Sequence, residues 1–262
     1  VEVGHGNGLG ASSYLVGKSI HTDHALISAA RRALITKKLA VHSIPGFSTI
    51  KRDLIPAIDL GVDIFRIATH VTESDIAQSQ IEFLKKKEKE VHGVLMMSHM
   101  TSIQDLVNQA YNLQNYGAEA IIIMDSAGYF VPTDVQARIC ALKDKINVPL
   151  GFHAHNNLGV AVSNAVTALD FGATIIDGAS MGLGAGAGNA QLESIIAVQK
   201  RVNASLALDE SLELSDLVAR EYSMNLPKTS SSSIYSGFNG VFSGYAPQVR
   251  EISDEFGIEQ SV

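Results

Sequence analysis

The sequence has little cysteine, no excess of positive charge and no long apolar run. Its single cysteine, Cys140, excludes an internal disulfide framework and suits a reducing cytoplasm. The formal net charge of −7, from 27 acidic against 20 basic residues, gives no electrostatic footprint for nucleic acid. No apolar run approaches the span of a bilayer and no signal peptide is visible, so we expect a cytoplasmic protein without a membrane partner.

The chain does have enough apolar residues for a folded core. Hydrophobic residues make up 46% and charged residues 18% of its 262 positions, as is typical of a globular domain of barrel size. Short β-branched runs alternate with amphipathic stretches that carry helical start and stop signals. The predicted strands are Val1–Val3, Ala40–Ser43, Ile64–Ala68, His92–Met97, Ala120–Met124, Leu150–His153 and Ile175–Asp177. The predicted helices are Asp23–Lys38, Thr49–Leu60, Glu73–Lys89, Ser102–Tyr116, Pro132–Lys145, Gly159–Phe171 and Ala190–Arg201.

Strand–helix alternation at this pitch indicates a parallel α/β fold, either an open sheet or a closed barrel. Polar and glycine-rich clusters follow nearly every predicted strand, which favours a TIM (β/α)8 barrel with one shared mouth. Such a barrel has eight strands and the sequence offers seven, so we expect the first strand–helix unit to be absent from this chain. Residues 1–203 are predicted to hold barrel strands 2–8. Residues 204–262 are predicted to form a helical extension or a truncated partner-contacting region, with a loop at Ser230–Ser233 and a last helix at Ala246–Phe256.

The strongest site signal is a pair of histidines, His153 and His155, two positions apart at a predicted strand end. Because side chains alternate along a strand, both project to the same side and can reach one cation. Nitrogen and oxygen ligands suit Mn²⁺, Mg²⁺, Co²⁺ or Zn²⁺. The neighbouring amides of Asn156 and Asn157 could orient ligands or substrate. The alternative is a pair of histidines satisfied by hydrogen bonds.

Two further clusters follow predicted strands. Ser126 and nearby backbone amides could hold a substrate carboxylate, or Asp125 and Ser126 could cap the following helix. The glycine-rich run Gly182–Asn189 lets the backbone approach a ligand and could bind an anion, which makes Asn189 a candidate substrate-binding residue. Second-rank candidates near strand ends are His5, Arg66, His70 and His99.

Taken together, these segments resemble the 4-hydroxy-2-oxovalerate aldolases, class II pyruvate aldolases of bacterial pathways such as aromatic hydrocarbon catabolism. That family shares a barrel superfamily with isopropylmalate synthase and hydroxymethylglutaryl-CoA lyase. The matching segments are Val1–Leu9, Arg66–His70, Leu95–Met100, Asp125–Tyr129, Gly151–Leu158 and Gly182–Asn189, followed by Leu192 and Glu193.

The resemblance implies a lyase that cleaves a 4-hydroxy-2-oxo acid into pyruvate and an aldehyde through a metal-stabilised pyruvate enolate. His153 and His155 match the family's two histidine metal ligands, and Ser126 matches a residue that contacts the substrate carboxylate. The implied cofactor is a divalent metal, Mn²⁺ in the first place, with Mg²⁺ or Co²⁺ as alternatives. The family's aspartate ligand, an arginine and a basic histidine lie on the first unit, which we expect this chain to lack.

The resemblance also shows one departure and implies partners. The family's tyrosine near the substrate 4-hydroxyl matches Phe242, which has no hydroxyl, so the natural aldehyde and the stereochemistry stay open. Tyr235 or Tyr245 could take its place. The implied partners are a small 2-oxo acid, an acylating aldehyde dehydrogenase subunit and further copies of the chain in an oligomer.

Two other functions stay open at this point. One is an acyl-CoA/2-oxo acid condensing enzyme of the isopropylmalate synthase type, although Gly184–Asn189 lacks the Glu-Arg pair usual in its glycine loop. The other is a catalytically silent barrel subunit.

Overall fold

The computed structural model describes residues 1–202, 204–223 and 226–258. Within these ranges the chain forms a six-stranded sheet in the order β1-β2-β3-β4-β5-β6, and the pairs β1–β2, β2–β3 and β5–β6 are parallel. The strands are β1 (Ala40–Ser43), β2 (Ile64–His70), β3 (Glu90–Met96), β4 (Ala120–Asp125), β5 (Leu150–Ala154) and β6 (Ile175–Asp177). A parallel sheet in chain order needs a crossover after each strand, so the predicted α/β class is confirmed.

Helices supply these crossovers, and others precede β1 or follow β6. They are α1 (Asp23–Ala33), α2 (Ile55–Asp59), α3 (Gln78–Lys86), α4 (Ile103–Tyr116), α5 (Pro132–Lys143), α6 (Ala161–Phe171), α7 (Leu192–Lys200), α8 (Leu208–Tyr222), α9 (Ser231–Phe238) and α10 (Ala246–Phe256). Over the described part of the chain, none of them is both long and apolar enough to cross a membrane.

Two sequence predictions about secondary structure need correction. The predicted strand Val1–Val3 is shortened to one parallel bridge between Glu2 and Ala40, in which Ala40 is hydrogen-bonded to both Val1 and Val3. The predicted loop Ser230–Ser233 instead begins α9, because the Ser230 hydroxyl accepts the backbone N–H of Ser233 and the Ser233 hydroxyl accepts that of Ser230. This reciprocal pair satisfies N–H groups that a helix start otherwise leaves open, so serines that resemble a loop in sequence form a helix cap.

The chain divides into two compact units, and the first comprises Val1–Met96, Gln104–Ile122 and Lys145–Pro149. Its apolar core includes Phe65, Leu84 and Leu95, all fully buried. The candidates His5, Arg66 and His70 each contact another residue of this unit. Arg66 pairs with Glu2 at 3.1 Å, His70 Nδ1 lies 2.7 Å from Thr72 Oγ1, and His5 Nε2 lies 3.1 Å from the Gly17 carbonyl.

The second unit comprises Met97–Ile103, Ile123–Asp144 and Leu150–Val262. Phe130 and Phe152 are fully buried in its core. Every first-rank candidate belongs to this unit: Ser126, His153, His155, Asn156 and Asn189. The site can therefore be described from one unit alone.

Candidate functional site

The end of β5 brings the two predicted histidines together. Phe152 and Ala154 point into the core, so His153 lies on the opposite face of the strand and His155 follows it on the same side. The ring centroids of His153 and His155 are 5.2 Å apart, with an interplanar angle of 54°. The rings are therefore neighbours but not stacked, and their edges can face a common point.

His153 is held from both ring nitrogens. Its Nδ1 lies 3.1 Å from the Asp177 carboxylate, and its Nε2 lies 3.2 Å from the Asn189 side-chain oxygen. Asn189 is fixed in turn, because its amide nitrogen donates to the Leu183 carbonyl at 2.8 Å. The side chains of His153 and Asp177 are 17% and 16% exposed, so the pair is reachable from solvent but largely enclosed.

His155 is buried and has a different environment. Burial, reinforced by the charge of His153, lowers the pKa of its imidazole to about 3, against the opposing effect of the Ala185 carbonyl. Within the described residues, its Nδ1 is enclosed and has no hydrogen-bond partner. A neutral imidazole with an unused ring nitrogen is the form that coordinates a metal ion.

A metal site has to be judged against this donor set. No group of three or more histidine, cysteine, aspartate and glutamate side chains is placed to hold a metal within residues 1–202, 204–223 and 226–258. The two histidines fit as two nitrogen donors, since one is oriented by a carboxylate and the other is kept neutral by burial. The ion would need oxygen donors from elsewhere to complete its coordination.

The end of β4 holds Asp125 and Ser126, both fully buried. The Asp125 carboxylate accepts the backbone N–H groups of Tyr129 at 2.9 Å and Phe130 at 3.0 Å. Burial raises the pKa of Asp125 to about 6, although these N–H groups oppose the shift. The helix after this loop, α5, has Val131 as its N-cap, so the interpretation of Asp125 and Ser126 as its cap is wrong.

Ser126 is hydrogen-bonded to the backbone of a neighbouring loop. Its hydroxyl oxygen accepts the N–H of Met97 at 2.9 Å, and Met97 has a left-handed backbone with φ 54°. A non-glycine residue in that region is strained, so the hydrogen bond helps to hold an unfavourable loop conformation. The hydroxyl proton of Ser126 is still available to donate to a ligand.

The two asparagines after His155 differ from each other. Asn156 is half-buried, and its side-chain oxygen accepts the backbone N–H of Ala161 at the start of α6 at 3.2 Å. Asn157 is fully buried and donates to the Ser233 carbonyl at 3.2 Å and the Ser236 hydroxyl at 2.8 Å. The amide N–H groups of Asn157 therefore hold α9, and its predicted ligand-orienting role stays a prediction.

The glycine-rich run folds back on the end of β5. The Asn156 N–H donates to the Gly188 carbonyl at 2.7 Å, and His155 forms an antiparallel bridge with Asn189. A Cβ atom at Gly184 would lie 2.4 Å from the Asn189 amide nitrogen. This loop therefore needs glycine at Gly184 to seat Asn189 beside His153.

His99 and Phe242 lie in the same unit but have other contacts. His99 Nε2 lies 2.9 Å from the Gly240 carbonyl, just after α9, and its ring packs on Tyr129 with centroids 5.1 Å apart. The Phe242 ring meets Tyr245 edge-on at 5.6 Å, and Tyr245 is 58% exposed. The structure thus joins His153, His155 and Asn189 directly, whereas Asn156 and Ser126 contact other backbone groups.

No role was predicted for Asp177 from the sequence, and Glu193 was named only as part of the matching segments. Asp177 ends β6 and is paired in register with His153 across the β5–β6 ladder. Glu193 accepts the N–H of Met181 with both oxygens at 3.2 Å and so holds the loop that leads to Asn189. A carboxylate at the end of the strand next to the histidine strand is the signal that could have identified Asp177.

Comparison with known proteins gives matches in family, sequence and fold. Residues 16–220 match the family model described as HMGL-like. A 4-hydroxy-2-oxovalerate aldolase of Spirochaeta aurantia is 48% identical over 99% of this chain and 76% of its own length. The 4-hydroxy-2-oxovalerate aldolase of Pectobacterium atrosepticum has the same identity and coverage. The carboxyl transferase domain from Rhizobium etli pyruvate carboxylase, 16% identical, has a similar fold with a TM-score of 0.77 over 95% of this chain and 45% of that one.

Proposed function

Because the chain belongs to the HMGL-like family and to the 4-hydroxy-2-oxovalerate aldolases, we propose that it cleaves a 4-hydroxy-2-oxo acid into pyruvate and an aldehyde. Its relatives make it an enzyme of the lyase class and favour aldol cleavage over acyl-CoA condensation. The observation that carries the residue-level proposal is the His153–His155 pair, whose ring centroids are 5.2 Å apart at one strand end.

We propose that this pair holds a divalent metal. The HMGL-like aldolases depend in general on such an ion, and Mn²⁺ is our first choice, with Mg²⁺ and Co²⁺ as alternatives. When bound, the ion supplies a Lewis acid that draws electron density from the 2-oxo group of the substrate. His153 offers Nε2 with its ring fixed through Nδ1, and His155 offers a neutral ring.

The other site residues are proposed to bind the substrate. Ser126 has its oxygen engaged by Met97, so its hydroxyl proton is the group we assign to the substrate carboxylate. Asn156 has its oxygen engaged by Ala161, which leaves its amide N–H groups as donors. Asn189 faces His153 and is proposed to exchange that contact for one with substrate.

The test of this function is pyruvate release from 4-hydroxy-2-oxopentanoate. The full-length protein is assayed with Mn²⁺ and again after excess chelator, with His153→Ala as the inactive control. Chelator-sensitive release that the variant lacks is the expected result. Tight Mn²⁺ binding without pyruvate release would show that the metal site is present but that the proposed substrate class is wrong. Consumption of acyl-CoA together with a 2-oxo acid would favour the condensing enzyme. An absence of both ion binding and turnover would favour the silent subunit.

We further propose that the sheet is part of a (β/α)8 barrel and that the protein works in an assembly. Support for an assembly comes from α8, which buries Ser211 and Ser215 while Leu212, Leu214 and Leu217 are each more than 40% exposed. Leu214 and Leu217, three positions apart, share one face of α8, and exposed leucines on one face favour contact with another protein surface. The proposed partners are an acylating aldehyde dehydrogenase and further copies of the chain. Light scattering of the protein, alone and with such a dehydrogenase, tests both.

A further inference from the structure

Asp177 lies beside His153 because of the way in which β5 and β6 pair. It is the last residue of β6, and the β5–β6 ladder pairs it with His153. Residues paired across adjacent strands project to the same face of the sheet, so the carboxylate and the imidazole meet without a distorted backbone. Their closest atoms, His153 Nδ1 and Asp177 Oδ2, are 3.1 Å apart.

This contact determines which ring nitrogen of His153 can serve a ligand. A carboxylate only accepts hydrogen bonds, so Nδ1 must carry a proton to bond it. The remaining nitrogen, Nε2, lies 3.2 Å from the side-chain oxygen of Asn189, which only accepts hydrogen bonds, so this contact has to open when the Nε2 lone pair binds an ion. An imidazole whose Nδ1 proton is engaged presents the Nε2 lone pair when the ring is neutral.

The side chain of Asp177 is enclosed with that of His153, since the two are 16% and 17% exposed. Partial burial strengthens the interaction compared with an exposed ion pair. Asn189, on the other side of the ring, is held by its bond to the Leu183 carbonyl. Of the two groups that contact the His153 ring, Asp177 is therefore the one that can keep its contact while Nε2 binds an ion.

We propose that Asp177 is a positioning residue for the divalent-ion site, which it serves by fixing the tautomer and the ring orientation of His153. The inference rests on the proposed function. Carboxylates behind a metal-binding histidine typically change ion affinity by about 10- to 100-fold when they are replaced. A purely structural role would instead change the stability of the β5–β6 pair and leave ion affinity unchanged.

The test measures Mn²⁺ affinity of the metal-free protein by calorimetry and by the loss of the free-ion electron paramagnetic resonance signal. Asp177→Asn keeps the shape of the side chain and removes its charge, and Asp170→Asn, on the exposed face of α6, is the matched control. We expect Asp177→Asn to weaken Mn²⁺ binding about 10- to 100-fold, with the control within about twofold of the wild type. The unfolding temperature of the metal-free Asp177→Asn protein should stay near that of the wild type.

The outcomes separate this inference from the proposed function. Wild-type affinity in Asp177→Asn, together with loss of binding in His153→Ala, would overturn the positioning role and leave the metal site standing. No divalent-ion binding by the wild type would overturn the metal proposal and this inference with it. If Asp177→Asn does not fold, ¹⁵N spectra of wild-type histidine decide the matter. A proton on Nδ1 of His153 is expected, and a bare Nδ1 would contradict the role.

Discussion

In the metal-free protein, His155 should make stability depend on pH in a way that one substitution removes. Its pKa is lowered from 6.5 to about 3 by burial, whereas the unfolded chain keeps the ordinary value. Between these values the unfolded state binds a proton that the folded state does not. Stability contributed by the neutral ring is therefore lost as the pH falls from about 6.5 towards 3.

The size of the effect follows from the proton count. One proton over one pH unit corresponds to about 1.4 kcal/mol. His155 should therefore lower the free energy of unfolding by about 2 to 3 kcal/mol as the pH falls from 6 to 4. Asp125 acts with the opposite sign, because its pKa is raised from 3.8 to about 6 and its folded form binds the extra proton. Its contribution grows as the pH falls through the same range. The two effects oppose each other in the wild type.

Urea unfolding at pH 6, 5 and 4 in the presence of chelator measures the balance. We expect the free energy of unfolding of His155→Asn to rise relative to that of the wild type by about 2 to 3 kcal/mol from pH 6 to pH 4. Only this change between pH 6 and pH 4 tests the prediction, because the variant can be less stable than the wild type at every pH. His24→Asn, on an exposed position of α1, controls for the loss of an imidazole. Parallel curves for wild type and His155→Asn would refute the reasoning.

Three further predictions concern residues around the histidine pair. His153→Ala should abolish pyruvate release with an unchanged circular dichroism spectrum, and retained turnover would contradict its role as a metal ligand. Gly184→Ala places a Cβ 2.4 Å from the Asn189 amide nitrogen, so kcat/KM should fall about 10- to 100-fold at nearly unchanged unfolding temperature; wild-type kinetics would show that Asn189 is not needed at this position. Asn157→Ala removes two hydrogen bonds to α9 and should cost about 1 to 3 kcal/mol, with faster amide hydrogen exchange in α9 than in α6. Unchanged exchange in α9 would mean that other contacts hold the helix.

Much of the fold follows from local sequence signals, and the strands show why. Ala40–Ser43 and Ile175–Asp177 have the predicted bounds, because short apolar runs between turn signals define them. The strand predicted at Ile64–Ala68 continues to His70, where Thr69 and His70 pair with Leu95 and Met96. Polar residues at a strand end look like a loop in sequence but still complete the ladder.

Helix boundaries depend on chemistry that periodicity does not show. The helix predicted at Thr49–Leu60 is a π-helical turn at Ile50–Leu54 followed by α2. Pro56 stands at the start of α2 and has no N–H to continue the earlier hydrogen bonds, so the pattern changes there. An apolar period of 3.6 covers both segments and cannot tell them apart.

In the candidate site, contacts between side chains of one strand could be predicted from the sequence. Contacts between side chains of two strands could not. The spacing of His153 and His155 alone places their rings on one side of β5. The partner of His153, Asp177, follows from the register between β5 and β6, which is set by tertiary packing. The contact of Asn157 with α9 likewise depends on tertiary packing, and its place beside the histidines in the sequence does not predict it.

The fastening of α9 has a consequence for how the strand end and the helix respond to each other. Asn157 lies two residues after His155, and its side chain donates to Ser233 and Ser236 of α9. The docking of α9 and the position of the backbone at His155 are thus linked, because both depend on the buried side chain of Asn157. Thermodynamic linkage is reciprocal. If docking of α9 strengthens ion binding at His155, ion binding therefore stabilises the docked helix by the same free energy.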